Sequence, residues 1–152
     1  MIEAYFDGCC EPVNPGGTAS YGAVIFVDGE RVWECSELFV PVLGKEKHTS
    51  NNVAKYSGFL SILEWLLANN LDTRPTRIHG DSKLVIEQML SNWRMKKGFY
   101  IPVAKKAKET LSKFRKKPKL IWIPREKNDI ADELSKAELK KAGVEFRIQP
   151  EA

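Results

Sequence analysis

The sequence predicts an α/β fold with a five-stranded mixed sheet, in which three antiparallel strands are followed by parallel strands and flanked by helices. Two features support this. In the first 39 residues, apolar and polar side chains alternate as in strands, and an Asp28-Gly29 turn separates two of the alternating segments. After residue 50, segments with helical periodicity alternate with short apolar segments, which is typical of strand–helix–strand units.

The predicted antiparallel strands are residues 2–6, 21–27 and 30–39. The second and third form a hairpin at Asp28-Gly29, a dipeptide that favours tight turns. The loop between the first two strands, residues 8–17, is rich in glycine and proline. Its small residues would allow the backbone of another molecule to come close.

Helices and strands alternate in the rest of the chain. Residues 50–70 carry two apolar stripes at helical spacing and are expected to form a largely buried helix. A strand at residues 76–80 follows, and then a helix at 82–92 with Ser82 as its N-cap.

The last predicted elements are an amphipathic helix at 103–114, a buried strand at 119–123 and a helix at 128–142 that ends at Gly143. They complete one domain, residues 1–143. In the remaining tail, residues 144–152, three apolar residues alternate with polar ones, which permits a short strand or a docked segment: Val144, Phe146 and Ile148.

Three aspartates occupy positions where a carboxylate has little structural purpose. Asp7 closes the first strand, Asp81 closes the fourth, and Asp132 lies in the first turn of the last helix. A right-handed crossover would make the fourth strand parallel to the first, so that Asp7 and Asp81 lie side by side with Asp132 packed over the same edge. A lone aspartate is usually a turn or cap residue, but a buried set at this edge predicts a metal site.

Length and composition indicate a single domain. The chain has 152 residues, 43% of them hydrophobic, which suits one core and leaves no room for a second domain of ordinary size. No segment approaches the roughly 20 apolar residues of a spanning helix, and no signal-peptide pattern is present. We therefore expect a soluble, cytoplasmic protein. Three cysteines without a CxxC spacing argue against a structural zinc site.

Positive charge is concentrated in residues 93–119, which we call the basic block. It contains eleven Lys or Arg and one acid, Glu109, whereas the formal net charge of the whole chain is +4. A phosphate backbone would bind to such a block on an otherwise acidic protein. A solvated helix face is the alternative, and charge alone favours it equally.

Several short motifs, in order along the chain, resemble those of a known family. They are DG at 7–8, NPGG at 14–17, SNNVAKY at 50–56, DS at 81–82, WRMK at 93–96, WIP at 122–124 and NDIADEL at 128–134. Together they resemble the type 1 ribonucleases H over residues 2–143. The resemblance implies a ribonuclease H-like sheet and hydrolysis of the RNA strand of RNA/DNA hybrids by two magnesium or manganese ions.

In that family, three aspartates and one glutamate hold the two ions. The resemblance implies that Asp7 bridges both ions, that Asp81 and the glutamate position each serve one, and that Asp132 completes the second site. Asp129 is the acid most easily confused with Asp132. The Ala-Asp-x-Leu context favours Asp132, and Asp129 is explained as a helix-start residue.

Lys55 replaces the glutamate of the family. On a helical wheel it lies with Phe59 and Ile62, so its side chain is expected to point inward over the sheet edge. Its ammonium would neutralise Asp7 and Asp81, occupy the space of a metal ion and lower the affinity for divalent ions. We expect two ions with glutamate at position 55, fewer or none with lysine, and correspondingly little cleavage.

Nucleic-acid contacts are predicted at two surfaces. Neutral donors and acceptors suit the 2′-hydroxyl groups that distinguish RNA from DNA, and four residues provide them: Asn14, Ser50, Asn51 and Asn52. One aromatic and three basic side chains are expected to line the channel of the DNA strand: Trp93, Arg94, Lys96 and Lys97. Arg125 stands in a loop where some family members carry a histidine, and we expect it to assist product release. As structural roles compatible with binding, Ser50 would be an N-cap and Asn14 a turn residue.

Three functions are consistent with the sequence. The first is a ribonuclease H whose cleavage is impaired by Lys55, and the second is a catalytically inactive module that binds RNA/DNA hybrids. The third is a DNA nuclease, transposase or integrase of the same superfamily. Asn14 and residues 50–52 argue against the third, because such enzymes have less need of 2′-hydroxyl contacts. We expect a monomer in each case.

Overall fold

The computed structural model describes residues 1–41 and 43–147, except for the Glu46 side chain. Five strands form one sheet: β1 (Ile2–Glu11), β2 (Thr18–Val27), β3 (Glu30–Leu38), β4 (Thr76–Gly80) and β5 (Lys119–Trp122). Their order across the sheet is β3-β2-β1-β4-β5. The pairs β1–β2 and β2–β3 are antiparallel, whereas β1–β4 and β4–β5 are parallel. The predicted mixed sheet is confirmed.

Four α-helices flank the sheet in the described part of the chain: α1 (Asn51–Ala68), α2 (Lys83–Met89), α3 (Ile101–Ser112) and α4 (Asp129–Lys141). Short 3₁₀ turns lie at Glu46–His48 and Arg125–Lys127. All four helices were predicted, with ends that differ by up to three residues. No described helix is long and apolar enough to cross a membrane.

The main core lies between the sheet and α1. Alternate β1 residues, Ile2, Ala4 and Phe6, are fully or almost fully buried and belong to one cluster with the buried face of α1. That face includes Tyr56 and Phe59, whose rings are inaccessible to solvent. Burying a side chain of this size stabilises the fold by about 1.5–3 kcal/mol. Helix α4 packs on the opposite face, so the sheet is covered on both sides near β1.

Strand β1 is longer than the sequence predicted and continues to Glu11. Residues 7–11 keep pairing with β2 as far as Thr18, which satisfies backbone groups that a loop would leave open. Asp7 therefore lies within the strand. The close approach expected near Gly8 is made by α1 of the same chain, because a Cβ at Gly8 would overlap the backbone at Ala54 and Lys55.

One further prediction is corrected near the edge of the sheet. Strand β5 was expected to be buried, but Lys119 and Trp122 are exposed because β5 is an edge strand. For the tail, a short strand or a docked segment was predicted; residues 144–147 form no strand, and Arg147 docks on Glu11 in β1. Ile148 and the rest of the tail lie outside the described residues.

Replacing Gly8 with alanine is expected to destabilise the fold by about 3 kcal/mol, because β1 and α1 must separate to admit the methyl group. The free energy of unfolding in urea measures this. Gly143→Ala is the control, since Gly143 has a positive φ of 72° but open space around it; we expect it to cost about 1 kcal/mol. Equal losses for the two variants would contradict the steric explanation.

Candidate active site

Three aspartates from three elements line one cavity of about 650 Å³ at the carboxyl end of β4, where the neighbouring strand β1 continues past it. They are Asp7 in β1, Asp81 directly after β4, and Asp132 in the first turn of α4. We call these three residues the acidic centre. Asp129, the alternative considered from the sequence, lines a different cavity.

The register of the parallel strands brings Asp7 and Asp81 together. Phe6 of β1 lies opposite Gly80 of β4, so the next residue of each chain segment reaches the same edge of the sheet. The indole of Trp122 donates a hydrogen bond to the Asp81 main-chain carbonyl at 3.1 Å, which holds the turn after β4 in place.

Lys55 extends from the N-terminal half of α1 into the acidic centre. Its Nζ lies 3.3 Å from Asp81 Oδ1 and 3.7 Å from Asp7 Oδ1. The lysine side chain is 23% exposed, whereas those of Asp7 and Asp81 are 5% and 7% exposed. The positive end of a helix disfavours a cation, and the two buried carboxylates offset that cost.

Opposing influences act on the pKa of the Asp7 carboxyl group. Burial raises its pKa, Lys55 lowers it, and the neighbouring Asp81 and Asp132 raise it again, so that the pKa is about 7. The backbone N–H of Gly8 donates to Asp7 Oδ1 at 2.8 Å and favours the charged form. One ammonium is thus shared among carboxylates that repel each other.

The residues present do not fit the two metal ions that the family resemblance implies. Magnesium takes oxygen ligands at about 2.0–2.1 Å in octahedral geometry, but the Lys55 ammonium lies between two of the carboxylates that would provide them. An ammonium provides no ligand and repels a divalent ion. Among residues 1–41 and 43–147, no group of three or more His, Cys, Asp or Glu side chains is arranged to hold a metal.

Asn128 attaches the start of α4 to β1. Its Nδ2 donates to the Phe6 carbonyl at 2.9 Å, and the Asp132 N–H donates to the Asn128 carbonyl at 3.0 Å. Although Asn128 occupies the N-cap position, its side chain makes no cap bond, and its Oδ1 is buried without a hydrogen-bond partner. An unsatisfied acceptor costs about 1–3 kcal/mol. The contact sets the position of Asp132 relative to Asp7.

Asparagine at a helix start ordinarily predicts a cap, so the sequence offered no signal for the Asn128 contact. Two basic residues of the cavity were also missed. Lys136 pairs with Asp132 at 3.1 Å, and the i,i+4 spacing could have revealed it. Arg147 pairs with Glu11 at 3.0 Å across almost the entire chain, which no local pattern could show.

The predicted 2′-hydroxyl contacts form a connected group at the start of α1. Asn14 Oδ1 accepts from the Asn51 N–H at 3.0 Å, and Asn51 Oδ1 accepts from the Cys10 N–H at 2.7 Å. Ser50 is the N-cap, as predicted, with its side chain accepting from the Val53 N–H. The side-chain NH₂ groups of Asn14 and Asn51 therefore remain as donors, and Asn51 lines the cavity of the acidic centre. Asn52 is half-buried in the first turn.

The predicted DNA-strand residues lie apart from the acidic centre. Trp93, Arg94, Lys96 and Lys97 are exposed in the segment between α2 and α3. Trp93 and Arg94 share a groove with basic residues of α3, Lys105 and Lys108. Arg125 lies in the 3₁₀ turn before α4 and lines the cavity of the acidic centre. The roles of these residues in binding stay predictions.

A sequence model of the reverse transcriptase-like family matches residues 5–138. The chain belongs to this family. Two solved structures place this reverse transcriptase-like protein in the ribonuclease H-like superfamily. RNase H1 of the halophilic archaeon Halobacterium salinarum NRC-1 is 28% identical with a TM-score of 0.77, over 92% of this chain and 98% of that one. LC11-RNase H1 in complex with an RNA/DNA hybrid is 29% identical with a TM-score of 0.79, over 93% and 99%.

A curated relative of this reverse transcriptase-like protein is longer than the chain itself. The bifunctional protein Rv2228c of Mycobacterium tuberculosis is 34% identical over 124 residues, which is 80% of this chain but 31% of that protein. The chain thus spans about a third of the length of that relative. These likenesses confirm the resemblance to ribonuclease H stated from the motifs.

Proposed function

We propose that this protein binds RNA/DNA hybrids as a ribonuclease H does, and that Lys55 impairs hydrolysis of the RNA strand. One observation carries the proposal: the Lys55 ammonium lies 3.3 Å from Asp81 and 3.7 Å from Asp7 inside a ribonuclease H fold. The likeness to LC11-RNase H1, described with an RNA/DNA hybrid, extends over 93% of the chain and supports this class of substrate.

The chain offers two kinds of contact for such a substrate. Asn51 lines the cavity of the acidic centre and Asn14 is bonded to it, and their side-chain NH₂ groups would donate to 2′-hydroxyl oxygens of the RNA strand. The exposed cations of the basic block would bind phosphates of the DNA strand. The first contact distinguishes RNA from DNA, and the second provides most of the affinity.

We expect a hybrid to bind more tightly than duplex DNA of the same sequence, measured by fluorescence anisotropy at physiological salt. Asn14→Asp should reduce this preference, because it keeps the acceptor for the Asn51 N–H but removes the donor. Asn70→Asp, which makes the same charge change in the loop after α1, should leave the preference intact. Equal affinities of the parent protein for hybrid and duplex DNA would contradict the 2′-hydroxyl assignment.

A catalytically inactive hybrid-binding module is the second candidate function. The misfit between Lys55 and a two-ion site favours it, because the ammonium that contacts both buried carboxylates provides no metal ligand and repels a divalent ion. Residual hybrid cleavage that depends on added magnesium distinguishes the two candidates. An impaired enzyme shows it, whereas an inactive module does not.

A further inference from the structure

The cavity of the acidic centre contains its own positive charges. Four acids line it: Asp7, Glu11, Asp81 and Asp132. Each forms an ion pair within the chain, through Lys55 for Asp7 and Asp81, Lys136 for Asp132, and Arg147 for Glu11. Arg125 is a fourth cation on the same wall, and no ion pair involves it among the described residues.

Formal charges on the cavity wall therefore sum to zero, with four acids against four cations. A glutamate at position 55 would make the sum more negative by two. Uncompensated carboxylates next to a phosphate repel it, and the repulsion is strong where solvent is excluded. With glutamate at position 55, the cavity wall would need bound cations before a nucleic-acid backbone could approach it. With Lys55, the wall needs no added cations.

We propose that Lys55 is a built-in counter-ion of the acidic centre and that it makes both the folded state and hybrid binding independent of divalent ions. The ammonium neutralises carboxylate charge as a bound metal ion would, since it contacts the two most buried carboxylates of the wall. Because each acid already has a basic partner, Arg125 is the cation left to meet a backbone phosphate. The binding half of this inference rests on the proposed function, whereas the folding half does not.

Thermal unfolding tests the folding half without nucleic acid. The parent protein is expected to unfold at the same temperature in EDTA and in millimolar manganese. Lys55→Glu should unfold at least about 5 °C lower in EDTA, because it adds a carboxylate to a buried cluster, and manganese should restore part of the loss. Lys140→Glu is the matched control, with the same charge change at an exposed position outside the cavity. Stabilisation of the parent protein by manganese would overturn the inference.

Hybrid affinity tests the binding half. At constant ionic strength, the parent protein should gain no affinity when magnesium is added to an EDTA-containing buffer. In EDTA alone, Lys55→Glu should weaken hybrid binding about tenfold more than Lys140→Glu, since its charge change lies at the backbone-facing cavity. A gain of affinity by the parent with magnesium would overturn the binding half. If no protein binds the hybrid, the proposed function fails instead, and the unfolding experiment still decides the folding half.

Discussion

Lys55→Glu is expected to produce an enzyme that cuts the RNA strand of RNA/DNA hybrids in millimolar magnesium, leaving 5′-phosphate and 3′-hydroxyl ends. The change removes the ammonium that lies 3.3 Å from Asp81 and 3.7 Å from Asp7. It also adds a carboxylate at the position where the family resemblance implies a glutamate. One ligand of a preorganised ion site is worth about 3 kcal/mol of transition-state stabilisation or more, so the rate should rise at least about 100-fold. A gel assay on a labelled hybrid measures it.

Two further variants show which part of the change matters. Lys55→Gln removes the positive charge without adding a carboxylate, and we expect it to recover much less activity than Lys55→Glu. In the Lys55→Glu background, Asp7→Asn should abolish cleavage again, because the resemblance to ribonuclease H implies that Asp7 contacts both ions. Robust cleavage by the parent protein at the same magnesium concentration would show that the three aspartates suffice and that Lys55 does not impair the site.

Hybrid binding is expected to weaken steeply with salt, by about 1000-fold between roughly 50 and 200 mM if six or more phosphates are neutralised. The basic block is the origin of this effect, since it presents exposed cations between α2 and α3. Lys96→Gln with Lys97→Gln should weaken binding at low salt and reduce the slope of log affinity against log salt by about 2. Anisotropy titrations over a series of salt concentrations give the slope.

The matched control for this double variant is Lys140→Gln with Lys141→Gln, which removes two charges from the last turn of α4, outside the basic block. We expect its slope to equal that of the parent protein. An unchanged slope for the Lys96 and Lys97 variant would mean that the phosphate contacts lie elsewhere on the surface.

Local sequence patterns were sufficient to predict most of the strands and helices. Strand β4 was predicted with its observed bounds, and α1 was predicted as a largely buried helix. Both have strong local signals, namely a short apolar segment and a doubly striped helical period. The predicted end of β1 and the predicted burial of β5 were wrong. Where a strand stops pairing, and whether it lies at the edge of the sheet, depend on which strands become its neighbours. Neither property is encoded in a window of a few residues.

The candidate site also has features that the sequence predicted and features that it could not predict. The positions of Asp7 and Asp81 at one sheet edge follow from strand order and the handedness of the crossover, both of which the sequence indicates. Their roles as metal ligands stay predictions. The Asn128 contact with Phe6 could not be predicted, because the same residue in the same place would ordinarily cap the helix.

By itself, the sequence determined the family resemblance and the mixed sheet, since these depend on residue identity and local periodicity, and through the resemblance it predicted Lys55 at the position of a family glutamate. Only the tertiary structure decided how close the lysine comes to its predicted partners and which cations pair with the other acids. The distances from its Nζ to Asp7 and Asp81, and the pairing of Lys136 and Arg147 with the remaining acids, arise from contacts between segments far apart in the chain. Electrostatic neutralisation depends on separation and burial in three dimensions, and a linear pattern carries neither.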